Sequence, residues 1–300
     1  MQNEPLVSVM MNCYNGEEYL RDAINSVINQ TYKNWEIIFW DNQSTDKSAE
    51  IFKEYKDSRL KYYLAPAHVN ILYKARNSAA KKINGDFIAF LDVDDWWCSD
   101  KLEKQIPLFE DTQVGLVYGN SWRILEKKNR RKSPRKKVLP IGMILSKLLN
   151  ENFIASATYV VRRKSLESLE YFFDDDFHII GDYDFHVRLA AKWKFNCIQT
   201  PVAYVRIHGK NESILSKNKE IPEMKIWYYK MKKNKVITSE KELNKIHLQI
   251  LYLESMEAIL RNEFRNSLFR VISYPFCLNK IKLIIALFLP NFVIQKMKNY

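Results

Sequence analysis

The chain has 300 residues, of which 47% are hydrophobic and 27% are charged. This length and apolar content argue against a disordered chain and allow one large core, or a core with an appended region. The formal net charge of +12 predicts attraction to anions, which include nucleic acid, phosphorylated substrates and an anionic membrane face.

The first hundred residues alternate strand-like apolar runs with helical patterns. We predict strands at residues 6–11, 36–40, 60–64 and 87–91. The intervening segments place apolar residues at helical spacing, as in Tyr19, Leu20, Ala23, Ile24 and Val27. This alternation predicts parallel β-α units, and therefore an α/β sheet protein.

Three polar clusters follow predicted strands directly, at residues 12–15, 41–46 and 92–95. Open α/β sheets bind their ligands at the carboxyl ends of the strands. We therefore expect the functional site to form where these three clusters meet.

Beyond residue 114 the pattern is less regular. A basic stretch at residues 127–137 predicts an exposed loop or hairpin, a helix is expected to begin around Asp182, and a strand is expected at residues 202–205. After Lys217 the pattern becomes helical. We predict a main domain at residues 1–217, divided near residue 120, and a helical region at residues 218–300.

The cysteines and the chain ends favour a cytoplasmic protein. Cys13, Cys98, Cys197 and Cys277 are far apart and form no CxxC pair, so they predict neither a zinc site nor a disulfide framework. The first five residues lack the features of a secretory signal. The longest apolar run, residues 283–294, is too short to span a membrane and contains Pro290.

Asp92, Asp94 and Asp95 lie within four positions directly after a predicted strand. Such closely spaced carboxylates repel one another unless they are solvated, cap a helix or bind a divalent cation through oxygen ligands. A solvated turn that caps the helix near Lys101 explains an isolated Asp-x-Asp equally simply.

Four blocks of sequence, in order, resemble family 2 glycosyltransferases with the GT-A fold. The resemblance extends from about Leu6 to about Ser213. It rests on Val7 to Asn15 with Glu17, on Asp41 to Asp46, on Ala75-Arg76-Asn77, and on Gly85 to Asp95.

The resemblance implies that Asp41 contacts the nucleobase of a nucleotide-sugar donor, usually uracil. It also implies that Asn12, Tyr14 and Glu17 frame the nucleoside. A carboxylate can accept the imide N–H of uracil, and an aromatic ring can cover its face. The simpler alternatives are an Asx-turn or helix cap for Asp41, and local packing or helix-end roles for the other three.

Arg76 and Asn77 are expected to line the nucleotide cleft, although an arginine on a helix surface is commoner. The resemblance further implies that Asp94 binds Mg²⁺ or Mn²⁺ at the diphosphate and that Asp92 lies near the ribose or assists the metal. His208 is a third candidate for the metal or a phosphate, with a solvated loop histidine as the alternative.

Asp182 matches the aspartate that acts as general base in this family. Gly181 departs from the family's usual Glu, so a second carboxylate is missing there. An N-cap is the simpler role for Asp182. Asp184 and Arg188 are four residues apart and predict an ion pair on the helix surface.

Together these residues predict an inverting, metal-dependent transferase that moves a sugar from a nucleotide diphosphate to an acceptor hydroxyl. We expect the acceptor to be a glycan or a lipid-linked glycan of the cell surface. Two segments suit contact with an anionic membrane. One is the basic stretch at residues 127–137, for which a solvated loop is the alternative. The other is the segment 283–294, flanked by Lys280, Lys282, Lys296 and Lys298, for which a packed helix is the alternative.

Two other functions compete with this prediction. One is a polyprenyl-phosphate glycosyltransferase, whose phosphate acceptor needs no base. The other is a basic nucleic-acid-binding module, which is disfavoured because the basic stretch lacks interleaved aromatic residues. A dehydrogenase is disfavoured because no GxGxxG follows the first strand.

Overall fold

The computed structural model describes residues 4–128, 130–291 and 293–294. The expectation that the chain has no secretory signal rests partly on residues 1–3, which lie outside these ranges. Lys296 and Lys298 also lie outside them. The chain divides into two compact units, Met1–Lys217 and Asn218–Tyr300.

The first unit begins with four parallel strands in the order β3-β2-β1-β4. The strands are β1 (Val7–Cys13), β2 (Trp35–Asp41), β3 (Leu60–Leu64) and β4 (Phe87–Phe90). β1, β2 and β4 are rich in apolar residues and buried along almost their whole length, as in a sheet that helices cover on both faces. The predicted strands and the α/β architecture are confirmed.

The sheet continues past β4 in the order β8-β6-β9-β5, and β7 pairs with β6. The strands are β5 (Trp96–Trp97), β6 (Val114–Leu125), β7 (Arg130–Lys132), β8 (Val160–Arg162) and β9 (Lys194–Ile207). β8 is antiparallel to both β4 and β6. β6 and β7 form the hairpin predicted for the basic stretch, and β9 is longer than the strand expected at residues 202–205.

Helices α1 to α8 of the first unit connect these strands. They are α1 (Leu20–Ile28), α2 (Ser48–Glu54), α3 (Leu72–Ala80), α4 (Lys101–Gln105), α5 (Leu145–Leu148), α6 (Arg163–Glu167), α7 (Gly181–Ala190) and α8 (Glu212–Leu215). α1 forms because Leu20, Ala23, Ile24 and Val27 recur at helical spacing, and all four are buried in the core beneath the sheet.

A buried polar cluster fixes the amino-terminal end of the parallel strands, opposite the expected site. The Ser8 hydroxyl donates to Glu36 across β1 and β2, and Lys61 pairs with the same carboxylate. Gly85 approaches so closely that an added Cβ would lie 2.6 Å from the Leu6 carbonyl oxygen. This end of the sheet is therefore structural, and its other end is free for ligands.

The second unit is helical. It contains α9 (Glu220–Lys233), α10 (Glu240–Leu260), α11 (Phe264–Ser273) and α12 (Leu278–Leu287). Its core includes Met256, Ile259, Val271, Leu283 and Ala286. Within the residues described, no helix is long and apolar enough to cross a membrane.

Helices α11 and α12 also present large apolar side chains to solvent. These are Phe264, Leu268, Phe269 and Ile272 on α11, Phe276 between the helices, and Leu278, Ile281, Ile284 and Ile285 on α12, with Phe288 just after it. Residues 283–294 thus contain both buried positions, such as Leu283, and exposed ones, such as Phe288.

Candidate active site

The loops after β1 and β2 are joined to each other at the carboxyl end of the sheet. Glu17 Oε2 accepts the Lys47 N–H at 3.0 Å, and Asp46 Oδ2 accepts the Glu17 N–H at 2.9 Å. Asn15, whose φ is +53°, accepts the Thr45 N–H at 2.8 Å. Glu17 is therefore placed as a link between the two loops, and its role at the nucleoside stays a prediction.

Asp41 ends β2 and is only 1% exposed. Its Oδ1 accepts the Ser44 N–H at 2.8 Å, and its Oδ2 accepts the Tyr62 hydroxyl at 2.7 Å. Burial and this hydrogen bond raise the pKa of Tyr62, which keeps the phenol a donor. These contacts match the turn-capping alternative, and the nucleobase contact of Asp41 stays a prediction.

Next to Asp41 the site offers an aromatic surface and an unused donor. The Tyr14 side chain is 51% exposed, and its ring centroid lies 4.3 Å from that of His68. The Asn42 side chain holds this loop by donating to the Val69 carbonyl at 2.8 Å. Asn12 Nδ2 is enclosed and has no hydrogen-bond partner among the described residues, so it is free to donate to a ligand.

Arg76 joins two of the predicted carboxylates. Its guanidinium donates to Asp92 Oδ1 at 2.6 Å and to Asp182 Oδ1 at 2.9 Å. The residue is only 2% exposed, so water screens this pair of contacts little. Arg76 therefore lies inside the site, which the helix-surface alternative did not anticipate.

Asp182 receives two further hydrogen bonds. The Ser156 hydroxyl donates to its Oδ2 at 2.5 Å, and the Tyr159 hydroxyl donates to its Oδ1 at 3.2 Å. Burial alone would raise the pKa of Asp182, but the charge of Arg76 and these donors lower it below its ordinary value. Asp182 is therefore a carboxylate at neutral pH, oriented by three side chains.

His186 lies one helical turn after Asp182. Burial lowers the pKa of His186 to about 4, although the charge of Asp182 opposes this. The imidazole is therefore neutral at pH 7. The positive charge next to Asp182 comes from Arg76 and not from His186.

The first turn of α7 explains the departure at Gly181. A Cβ at this position would lie 2.4 Å from the Tyr73 ring, so a Glu would displace Tyr73.

The expectation that Asp184 and Arg188 pair on the helix surface is wrong in its location: they pair at 2.7 Å, but both are buried. Arg188 also donates to the Tyr171 carbonyl, which binds the preceding loop to α7.

Asp94 and Asp95 lie in a different environment. Asp94 Oδ2 accepts hydrogen bonds from His208 Nε2 and from Asn211 Nδ2, both at 3.0 Å. Asp95 Oδ1 accepts a hydrogen bond from the Arg206 N–H at 2.9 Å. Burial raises the pKa of Asp94, as does the charge of Asp92. Burial and the neighbouring charges raise the pKa of Asp95 well above its ordinary value. Both carboxyls therefore resist ionisation more than an exposed aspartate does, although His208 and Arg206 partly offset this.

The predicted metal ligands fit a divalent cation unequally. Mg²⁺ and Mn²⁺ sites often use one or two carboxylates together with substrate phosphates, and Asp94 meets that need. His208 Nδ1 accepts the Lys210 N–H at 3.1 Å and its Nε2 lies 3.0 Å from Asp94 Oδ2, and a role for His208 at a metal or a phosphate stays a prediction. Asp92 is held by Arg76. Among the described residues, no group of three or more His, Cys, Asp or Glu side chains is placed to hold a metal.

Asn77 faces a different segment from its neighbour Arg76. Its Nδ2 donates to the Phe173 carbonyl at 2.9 Å and to Asp175 Oδ1 at 2.6 Å, and its Oδ1 accepts the Phe173 N–H at 3.1 Å. Asn77 therefore anchors the 173–175 loop, and any contact with the nucleotide stays a prediction.

Sequence reasoning missed Ser156 and Tyr159, which hold Asp182, and gave Asn211 no role of its own. Ser156 begins a short 3-10 helix, and Tyr159 precedes the three-residue strand β8. Neither element has a periodic pattern, so the sequence contained no signal for these two. The contact of Asn211 with Asp94 depends on how the chain folds after β9.

Comparison with known proteins identifies the family. Residues 8–170, more than half of the chain, match the model described as glycosyl transferase family 2. The chain is 37% identical over 166 residues to a UDP-Glc:alpha-D-GlcNAc-diphosphoundecaprenol beta-1,3-glucosyltransferase of Escherichia coli, covering 55% of this chain and 64% of that protein. It is 32% identical to an uncharacterized glycosyltransferase of Methanocaldococcus jannaschii, covering 77% of this chain and 79% of that protein. The first two curated relatives are matched over only 64% and 48% of their own lengths.

Solved structures show the same fold. A mannosyltransferase from Pyrobaculum calidifontis, in complex with GDP-Man and Mn²⁺, superposes with a TM-score of 0.67 at 16% identity, covering 100% of this chain and 85% of that one. The mostly parallel sheet flanked by helices is accordingly the GT-A fold. The chain belongs to glycosyl transferase family 2.

Proposed function

We propose that this protein is an inverting glycosyltransferase that moves a sugar from a UDP-sugar to an acceptor hydroxyl. The observation that carries this proposal is the ionised Asp182, joined through Arg76 to Asp92 beside the end of β4. One carboxylate is thus available as a base close to the edge where a nucleotide sugar binds in this fold.

Asp182 is the general base of the proposed reaction. The acceptor oxygen forms a bond to the anomeric carbon, the bond from that carbon to the diphosphate oxygen breaks, and the hydroxyl proton moves to Asp182. The reaction inverts the anomeric carbon because the acceptor attacks from the face opposite the leaving group. Ser156, Tyr159 and Arg76 hold the carboxylate in one orientation for that transfer.

Asp94 is the residue we propose to bind Mg²⁺ or Mn²⁺, together with the donor diphosphate. The cation would neutralise negative charge on the departing nucleoside diphosphate. Support comes from the setting of Asp94, where burial and the charge of Asp92 raise its pKa and a bound cation would favour its ionised form. Support also comes from the Mn²⁺ complex of the similar mannosyltransferase.

The donor and the acceptor are inferred from relatives. The similar E. coli enzyme is named for UDP-Glc and for a GlcNAc-diphosphoundecaprenol acceptor. We therefore assign this chain to the synthesis of a cell-surface polysaccharide, lipopolysaccharide or capsule on a lipid-linked acceptor. Residues up to about 120 form the donor half, and residues 121–217 form the acceptor half.

The second unit is proposed to bind the cytoplasmic face of the membrane. Its α11–α12 surface exposes Phe269 and Phe276 among other large apolar residues. From residue 264 onward the sequence has Arg and Lys but no Asp or Glu. Apolar side chains beside basic ones favour an interfacial position on anionic lipid. Sedimentation with phosphatidylglycerol vesicles tests this placement, and a protein that stays in solution contradicts it.

A thermal-shift screen with UDP-, GDP- and dTDP-sugars, each with Mn²⁺, tests the central proposal. We expect the UDP compounds to raise the melting temperature, and Asp94→Ala to abolish the shift. A ligand present at 100 times its Kd adds about 2.7 kcal/mol to the stability of the folded state. If none of these nucleotides stabilises the protein, the proposed function is wrong.

A further inference from the structure

A cleft of about 520 Å³ lies between β6, the β7 hairpin and residues 151–155. Arg123, Lys132, Arg135, Glu151 and Ala155 are among the residues that line it. This volume is in the range of small-molecule sites. The cleft is separate from the strand ends where the donor is proposed to bind.

The cleft holds two positive charges that have no acidic partner. Arg123 and Lys132 are directly opposite each other in the pairing of β6 with β7. Like charges in such a cross-strand position destabilise a hairpin. Neither residue forms an ion pair with any other residue that the structure describes. Both side chains are exposed, and an anion bound between them would offset this repulsion.

The third basic residue that lines the cleft is already engaged. Arg135 forms a two-pronged ion pair with Glu151, at 2.5 and 2.7 Å. Arg131, which alternates with Lys132 along β7, lies 3.1 Å from the centre of the Trp122 ring. Within the cleft lining, the basic side chains without an acidic partner are therefore Arg123 and Lys132.

The wall of the cleft is fixed in place and is linked through the backbone to the proposed base. The buried Asn120 side chain donates to the Arg135 carbonyl at 2.8 Å and accepts the Arg135 N–H at 3.1 Å. Ala155 lines the cleft, and the next residue, Ser156, donates to Asp182 at 2.5 Å. Residues 155 and 156 thus connect the lining of the cleft to the side chain that holds Asp182.

We propose that the cleft binds the diphosphate of an isoprenoid-linked acceptor through Arg123 and Lys132. This inference rests on the proposed transfer to a lipid-linked acceptor. A diphosphate supplies the anion that the two side chains lack, and guanidinium and ammonium groups form charge-assisted hydrogen bonds to phosphate oxygens. The sugar between the diphosphate and Asp182 then presents its hydroxyl to the base.

Calorimetric titration with farnesyl diphosphate tests this site, in saturating UDP and Mn²⁺ so that the donor cleft is filled. We expect farnesyl diphosphate to bind to wild type. Its affinity for R123A/K132A should be weaker by about tenfold or more, because two charge-assisted hydrogen bonds are lost. The matched control K81A/K164A removes the same charge from exposed positions elsewhere in the first unit. It should bind as wild type does.

Further arms separate the sources of phosphate. Inorganic pyrophosphate should compete with farnesyl diphosphate, and farnesol should not bind at the cleft. No binding to wild type, or equal loss in both double variants, overturns the proposal. The proposal is also overturned if R123A/K132A loses binding to phosphatidylglycerol vesicles but keeps its affinity for farnesyl diphosphate, because the two residues would then bind bulk lipid. The UDP thermal shift should persist in R123A/K132A, so failure of the cleft is distinguishable from failure of the proposed transferase function.

Discussion

Two pairs of carboxylates near the same edge of the sheet lie in opposite electrostatic settings. Asp92 and Asp182 share the buried guanidinium of Arg76, which lowers the pKa of Asp182. Burial and repulsion from neighbouring carboxylates raise the pKa values of Asp94 and Asp95, although His208 and Arg206 act in the opposite direction. The first pair thus shares a buried cation of the chain, whereas burial dominates at the second, where a donor bound with a divalent cation would bring positive charge.

The largest effect is expected for Asp182→Asn, which keeps the shape of the Arg76-linked pair but removes the base. We expect transfer to a hydroxyl acceptor to fall by about 10²- to 10⁴-fold, because a positioned general base contributes that much. The UDP thermal shift should remain, since Asp182 is not part of the donor site. Unchanged turnover would instead favour a polyprenyl-phosphate acceptor, which is already ionised.

Arg76→Met breaks the first pair without touching the second. Two partly buried carboxylates then lose their cation, and we expect the free energy of unfolding at pH 7 to fall by about 3–5 kcal/mol. Denaturant titration measures this change. Arg21→Met, which removes an exposed ion pair with Glu54, is the control and should leave the free energy of unfolding almost unchanged. An equal loss in both variants would contradict the special role of Arg76.

Arg76→Met should also reverse the way in which ionisation of Asp182 affects the free energy of unfolding. In wild type the lowered pKa of Asp182 contributes stability above the ordinary Asp pKa, and this contribution is lost as the pH falls through the lowered value. Without Arg76, burial raises the pKa of Asp182, so its ionisation becomes destabilising as the pH rises. The stability difference between wild type and Arg76→Met should therefore shrink towards acid pH. A constant difference would contradict the linkage.

The smallest effect, of opposite sign, is expected for Asp95→Asn in protein without added metal. Ionised Asp95 is costly because it is buried beside Asp94, and an amide oxygen can still accept the Arg206 N–H. We expect unfolding at pH 7 to require about 1 kcal/mol more than in wild type. A destabilised Asp95→Asn would show that the second pair is already neutralised within the chain.

The two pairs also differ in how far the sequence predicted them. The strands that lead to Asp41 and Asp92 follow from apolar runs and polar turns, because a parallel sheet imposes a regular pattern. Asp182 followed from a motif, but its partners Ser156 and Tyr159 did not, since they reach it from short elements distant in sequence. His208 was expected to bind a metal or a phosphate, and only the fold reveals its hydrogen bond to Asp94.

Arg76 has a consequence that extends beyond holding two side chains. Arg76 contacts both Asp92, at the proposed donor edge, and Asp182, the proposed base, so the proton affinity of Asp182 depends on how strongly Asp92 attracts that guanidinium. Thermodynamic reciprocity then requires that protonation of Asp182 also change the affinity of the donor edge for cations. Through this single buried side chain, cation binding at the proposed donor edge and the basicity of Asp182 would report on the same equilibrium.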